Sequence, residues 1–193
     1  HGPDEIDLEG LADPDDDRCH QDDGGRVRQH GAPSRHECDD EQQEAPAGFN
    51  VMLAAGMIRE AAALTTQVAG EVIPSDVPGS LAMGLRVPAG VVLGIAPGNA
   101  PIILGVRAIA TPLACGNTVI LKGSENCPRT HALIIEAFAD AGFPPGVVNY
   151  ITNAPADAGA VVEAMVAHPA VRRVNFTGST KVGKIIAMTC AKH

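Results

Sequence analysis

Aromatic residues are nearly absent: they make up 3% of 193 residues, with no Trp, one Tyr and four Phe. With no aromatic platform and no basic patch, the chain carries no signature of nucleic-acid binding. A membrane-spanning run is missing too. The best apolar stretch, Pro101 to Cys115, is interrupted by Arg107 and falls short of the roughly 20 residues a spanning helix needs. There is no even set of cysteines. Cys19, Cys38, Cys115, Cys127 and Cys190 are odd in number and follow no signal-like segment, so a reducing, cytoplasmic setting is expected.

What is present is an Ala/Val/Ile-rich composition, 45% hydrophobic and 19% charged, with a net charge of −9. The charge is unevenly placed. Residues 1–48 hold 15 acidic and 4 basic side chains, a net of −11, whereas residues 49–193 hold 8 and 10, a net of +2. The first segment has no helical or strand periodicity and too little apolar surface to offset its ordering entropy, so it is expected to be disordered or an out-of-frame translation. Cys19-His20, His30 and His36-x-Cys38 are metal-ligating residue types, but their spacing fits no common zinc pattern and no metal is expected.

From Phe49 the character changes. Apolar positions Val51, Met52, Ala55, Ile58, Ala62 and Thr65 predict a helix within 49–73, and a hairpin or strand is expected at Leu81 to Val87. Val91 to Ala96 reads as a buried strand. Helix then alternates with strand: helix 101–114, strand Thr118 to Lys122, helix 128–141 stopped by Gly142, strand Val147 to Thr152, helix 157–167, strand Arg172 to Phe176, and a final helix from Ser179. Near-continuous apolar strands between helices predict an α/β fold with a Rossmann-like parallel sheet covered on both faces.

Ligands of such sheets bind at the carboxyl ends of the strands. Three segments occupy such ends: Ala96-Pro-Gly-Asn-Ala-Pro101, Leu121-Lys-Gly-Ser-Glu125 and Phe176-Thr-Gly-Ser-Thr180. Gly178 permits a tight turn, Ser179 is an N-cap candidate, and the helix start presents free N–H groups that suit a phosphate. Each residue also has a plain local reading. Asn99 suits a cap for the helix near Pro101, Ser124 suits an N-cap, Lys122 and Glu125 form an i,i+3 pair, and Gly178 can serve a turn alone.

Taken with Gly70-Glu-Val-Ile-Pro74, Arg107-Ala-Ile-Ala-Thr-Pro-Leu-Ala-Cys-Gly-Asn117 and Arg172-Arg-Val-Asn-Phe-Thr-Gly-Ser-Thr180, these segments resemble the NAD(P)-dependent aldehyde dehydrogenase superfamily over residues 49–193. Within it they are most similar to aromatic-aldehyde enzymes of the salicylaldehyde or vanillin dehydrogenase type. The resemblance implies an incomplete cofactor-binding domain of an oxidoreductase that converts an aldehyde to its acid with NAD, in preference to NADP, as hydride acceptor. The parent enzyme would be a homo-oligomer acting on a small-molecule aldehyde, with its nucleophilic Cys and general-base Glu beyond His193. Cys115, Cys127 and Cys190 are then expected to be packed, structural thiols.

Carried over residue by residue, the resemblance gives Asn99 the oxyanion-donor role, which contributes about 3–4 kcal/mol in comparable sites. It gives Lys122 and Glu125 the ribose hydroxyls, Gly178 and Ser179 the diphosphate, and Gly183 the close packing of the last helix. Ile95, Ala96, Pro97, Ser124, Phe176 and Thr177 line the cofactor's path. Gly98 departs from the family's usual Trp, which removes wall area beside the cofactor. The family has an amphipathic helix where residues 20–48 run. The other readings are a non-catalytic nucleotide-binding or interaction module and an aliphatic semialdehyde dehydrogenase.

Overall fold

The computed structural model describes the backbone from Arg35 to His193 and side chains from Gly48 onward. The chain divides into two units, His1–Cys38 and Asp39–His193, and the description below concerns the second. Helix α1 (Arg35–Leu64) crosses the expected boundary at Phe49, so residues 35–48 are helical, not aperiodic; the rest of the 1–48 segment, with Cys19, His20 and His30, lies outside the described residues.

The expected helical register of α1 is also corrected. Ala54 and Ala61 are the residues buried in the core, with Met57 packed beside them, whereas Val51, Met52 and Ile58 stay exposed. The two small residues, seven apart, let this helix approach the rest of the unit closely. The helix ends at Leu64, short of the predicted 73, because Glu71–Ile73 (β1) pairs antiparallel with Ala82–Gly84 (β2). The predicted hairpin therefore takes its first strand from the stretch assigned to helix.

The central sheet contains β3 (Val91–Ile95), β4 (Thr118–Lys122), β5 (Val148–Ile151) and β6 (Val171–Phe176), all parallel, in the order β5-β4-β3-β6. The helices that follow the successive strands are α2 (Pro101–Ala114), α3 (Pro128–Asp140), α4 (Ala158–Val166, after a short 3-10 turn) and α5 (Thr180–Lys192). Side chains alternate between the sheet's two faces. Val92, Val119 and Leu121 join α2 and α3 in one core, while Leu93 and Ile95 join Val166 and Ile186 in the other. The expected α/β sheet covered on both faces is thus the fold.

Two details explain the boundaries. Gly142 has φ +89°, a conformation that favours glycine and terminates α3. The buried Asn117 accepts the N–H groups of Ala89 (2.7 Å) and Gly90 (3.1 Å) and donates to the Pro112 carbonyl (2.9 Å), lashing the entry of β3 to the end of α2. Among the described residues, no helix is long and apolar enough to cross a membrane.

Candidate functional site

Strands β3, β4 and β5 succeed one another in one direction, and β6 then returns to the far side of β3. That reversal makes the carboxyl ends of β3 and β6 the switch point, where doubly wound sheets open a crevice. Pairing continues past the strand ends. The Thr177 N–H donates to the Ile95 carbonyl (3.1 Å), Ala96 N–H to Lys122 (3.3 Å) and Gly123 N–H to Ile151 (3.1 Å). These bonds hold the exits of all four strands side by side.

A cleft of about 620 Å³ opens there. The β3 exit supplies Pro97, Gly98 and Asn99, the β6 exit supplies Thr177, Gly178 and Ser179, and Asn126 and Leu104 complete the lining. Ile95, Ala96, Lys122 and Ser124 are buried, and Glu125, Phe176 and Gly183 are partly exposed. Asn126 and Leu104 were not anticipated. Asn126 directly follows Glu125, and Leu104 lies on the first turn of α2, so position relative to the strand tips was the signal available for both.

Asn99 is exposed in the cleft. The N-cap of α2 is Ala100, no side chain caps that helix, and among the described residues no hydrogen bond engages the Asn99 amide. The capping alternative therefore falls. At Gly98 a side chain would meet the β4 exit: an added Cβ would lie 2.9 Å from Ser124 Oγ and 3.4 Å from Cys127 Sγ.

Glu125 accepts from the buried Lys122 ammonium and from Asn153 Nδ2 (3.0 Å), and both bonds converge on Oε1. Asn153 follows β5 and escaped the sequence reading because only three strand ends were considered. Burial works against the charge on Glu125, but the hydrogen bonds from Lys122 and Asn153, with the positive charge of Lys122, outweigh it and hold the carboxyl below its ordinary range. Glu125 is thus a fixed, ionised acceptor at neutral pH.

Ser124 is not an N-cap, contrary to expectation. Cys127 holds that place without a side-chain cap bond, and Ser124 Oγ accepts from Asn126 N–H (3.3 Å) in a local turn instead. The Ser124 N–H donates to His131 Nδ1 (3.1 Å). Cys115 and Cys190 are exposed, not packed. Cys115 sits past the last turn of α2, with its backbone rather than its thiol engaged, and Cys190 lies in the last turn of α5, exposed beside Val166 and Val174 in a surface cavity. Cys127 is half-buried; burial and the nearby Glu125 charge push its thiol pKa up against a hydrogen bond from Ser124, so it stays protonated.

The β6 exit has the predicted cap. Ser179 Oγ accepts the Val182 N–H (3.3 Å) and begins α5. Gly178 serves close approach rather than left-handed backbone, since an added Cβ would lie 2.5 Å from Phe176 Cζ. The same ring lies 3.2 Å from a Cβ built on Gly183, so Phe176 seats both the turn and the first turns of α5. The α5 N-terminus, with its positive dipole end, begins at the cleft lining.

The sequence profile described as the aldehyde dehydrogenase family matches residues 36–193. The chain is 69% identical over 146 residues to a vanillin dehydrogenase of Pseudomonas sp. (strain HR199), covering 76% of this chain and 30% of that protein. It superimposes with TM-score 0.74 at 50% identity on a crystal structure of a salicylaldehyde dehydrogenase from Pseudomonas putida G7 complexed with salicylaldehyde, covering 76% of this chain and 30% of that one. A NAD-dependent benzaldehyde dehydrogenase from Corynebacterium glutamicum gives TM-score 0.71 at 33% identity over 76% of this chain and 31% of that one. The chain thus spans about 30% of the length of the relatives it matches.

Proposed function

Because the chain belongs to the aldehyde dehydrogenase family, we propose that it is the cofactor-binding part of an enzyme that oxidises an aromatic aldehyde to its acid with NAD. The observation that carries this reading is the meeting of the strand exits at the sheet's switch point around one 620 Å³ cleft.

The residues present fit a dinucleotide. The ionised Glu125 can accept from a ribose diol and repels a 2′-phosphate, which favours NAD over NADP. Lys122, itself buried, fixes that carboxylate. The N-terminus of α5 and the Gly178 turn suit a diphosphate. Such a cofactor would supply a hydride acceptor, the oxidant by which an aldehyde and water become an acid with release of a proton. Asn99, exposed in the cleft and without a hydrogen-bond partner among the described residues, is the amide N–H donor assigned to the carbonyl oxygen that gains charge. The aromatic reading rests on the names of relatives at 50% identity or more, which also disfavour the aliphatic semialdehyde alternative.

Calorimetric titration of the chain with both cofactors tests the cofactor assignment. NAD is expected to bind at least tenfold more tightly than NADP; no heat at millimolar NAD, or tighter NADP, overturns it. The aldehyde assignment is tested by grafting residues 49–193 into the matching segment of the Pseudomonas vanillin dehydrogenase. The graft should oxidise vanillin, and Asn99→Ala should lower its kcat by about 10²–10³ with little change in the KM for NAD. A variant that loses NAD affinity with kcat intact refutes the oxyanion role.

A further inference from the structure

We infer that His131 is a positioning residue: through Nδ1 it holds the Ser124 amide, and with it the loop that leaves β4 after Lys122 and carries Glu125, in place to receive the cofactor ribose. The inference rests on the cofactor reading above. His131 is wholly buried on α3. Its ring lies against Gly105 of α2, where an added Cβ would come within 3.0 Å of His131 Cδ2 and 2.7 Å of Ile134 Cδ1. The fold thus keeps a side chain out of α2 at the place the imidazole occupies.

Accepting the Ser124 N–H (3.1 Å) requires a bare Nδ1, so the neutral ring carries its proton on Nε2. That Nε2 is buried, and the acceptor that draws on it, the Pro101 carbonyl, makes no well-formed hydrogen bond with it among the described residues. An apolar side chain would avoid the cost of an unsatisfied buried nitrogen, so the acceptor at Nδ1 is what histidine supplies here. The bond reaches from the α3 interior into the loop one residue before Glu125, and no other described bond ties the Ser124 N–H.

The ionisable groups facing the ring are the Lys122 ammonium, the Cys127 thiol (Sγ 3.7 Å from Nδ1) and the Tyr150 phenol, whose hydroxyl donates to the Pro128 carbonyl (2.8 Å). Lys122 is in turn paired with Glu125. Burial first, and then Lys122, disfavour a charged ring, against the pull of the Pro101 carbonyl, so the pKa is lowered. When a proton does add at Nδ1, two N–H donors face each other and the loop is released.

Calorimetry on the chain with NAD, for wild type, His131→Leu and His131→Asn, tests this. Asn offers an acceptor near the position of Nδ1, whereas Leu offers none. His131→Leu is expected to weaken NAD binding by about tenfold or more, and His131→Asn by less than about threefold. Wild-type affinity should hold at neutral pH and fall only below about pH 6.5, as the pH drops through the lowered pKa of the ring, while His131→Asn stays flat down to about pH 4.5, above the range in which Glu125 titrates. Nitrogen-15 NMR of the ring should show the Nε2–H tautomer at pH 7.5. Equal NAD affinity in wild type and His131→Leu, or the Nδ1–H tautomer, overturns the positioning role and leaves the cofactor reading intact. Absence of NAD binding by the wild type overturns both.

Discussion

Glu125→Leu is expected to destabilise the fold by about 3 kcal/mol, the low end of the cost of removing one partner of a buried ion pair. The Lys122 side chain is only 7% exposed and would be left charged with no carboxylate, while Glu125 itself keeps 20% of its surface in solvent. Lys122→Met/Glu125→Leu should recover most of the loss, because a buried pair replaced by apolar groups is close to neutral. Urea unfolding of the wild type, both single variants and the double variant closes the cycle. If single and double variants lose equally, the pair is not what holds this corner. Acid should reproduce the effect with a defined sign. The folded carboxyl titrates below its ordinary value of 4.5, so the unfolded chain takes up the proton first as pH falls. The stabilisation is complete above about pH 4.5 and is lost as pH drops through the lower folded value.

Gly178→Val is expected to weaken NAD binding by at least tenfold and to lower the unfolding midpoint. A Cβ at this position lies 2.5 Å from Phe176 Cζ and 2.9 Å from Cε2, far inside the roughly 3.5–4.0 Å at which carbon atoms rest. The aromatic ring must leave, and with it the support beneath Gly183 and the first turns of α5. The free N–H groups of that helix end, proposed to meet the diphosphate, shift with it, and the cluster of Leu93, Ile95, Val166 and Ile186 loses one of the side chains packed against it. Gly159→Ala is the control, since nothing lies within 4 Å of a Cβ there. Calorimetry gives the affinity and thermal melting the stability. A Gly178→Val chain that binds NAD as the wild type does would remove the diphosphate from this turn.

The elements read most accurately were those whose signals are local. The β4 bounds, Thr118–Lys122, and the α2 bounds, Pro101–Ala114, match because each has a strong periodicity between punctuating residues: Pro at the helix start and Gly-Asn after its end. Ser179 was readable as a cap because its partner, Val182, is three residues away. Misreadings arose where distant contacts decided. Ala54 and Ala61 are buried in preference to Val51 and Ile58 because close helix approach favours small residues. Glu71–Ile73 left the helix because Ala82–Gly84 offered it a ladder. The helix after Ser124 starts only at Pro128, with Cys127 in the N-cap place, so the Ser124 hydroxyl serves a local turn instead.

By itself the sequence determined the alternation of strand and helix, the parallel character of the sheet and the three loop tips that carry polar residues, since periodicity and turn chemistry act between neighbours along the chain. Only the tertiary structure decided that β6 returns beside β3, that Asn153 reaches Glu125 across 28 residues, and that a buried imidazole braces the Ser124 loop. Those features depend on which way each crossover folds back and on which groups are then shut away from water together. Burial turns partners remote in sequence into obligatory ones.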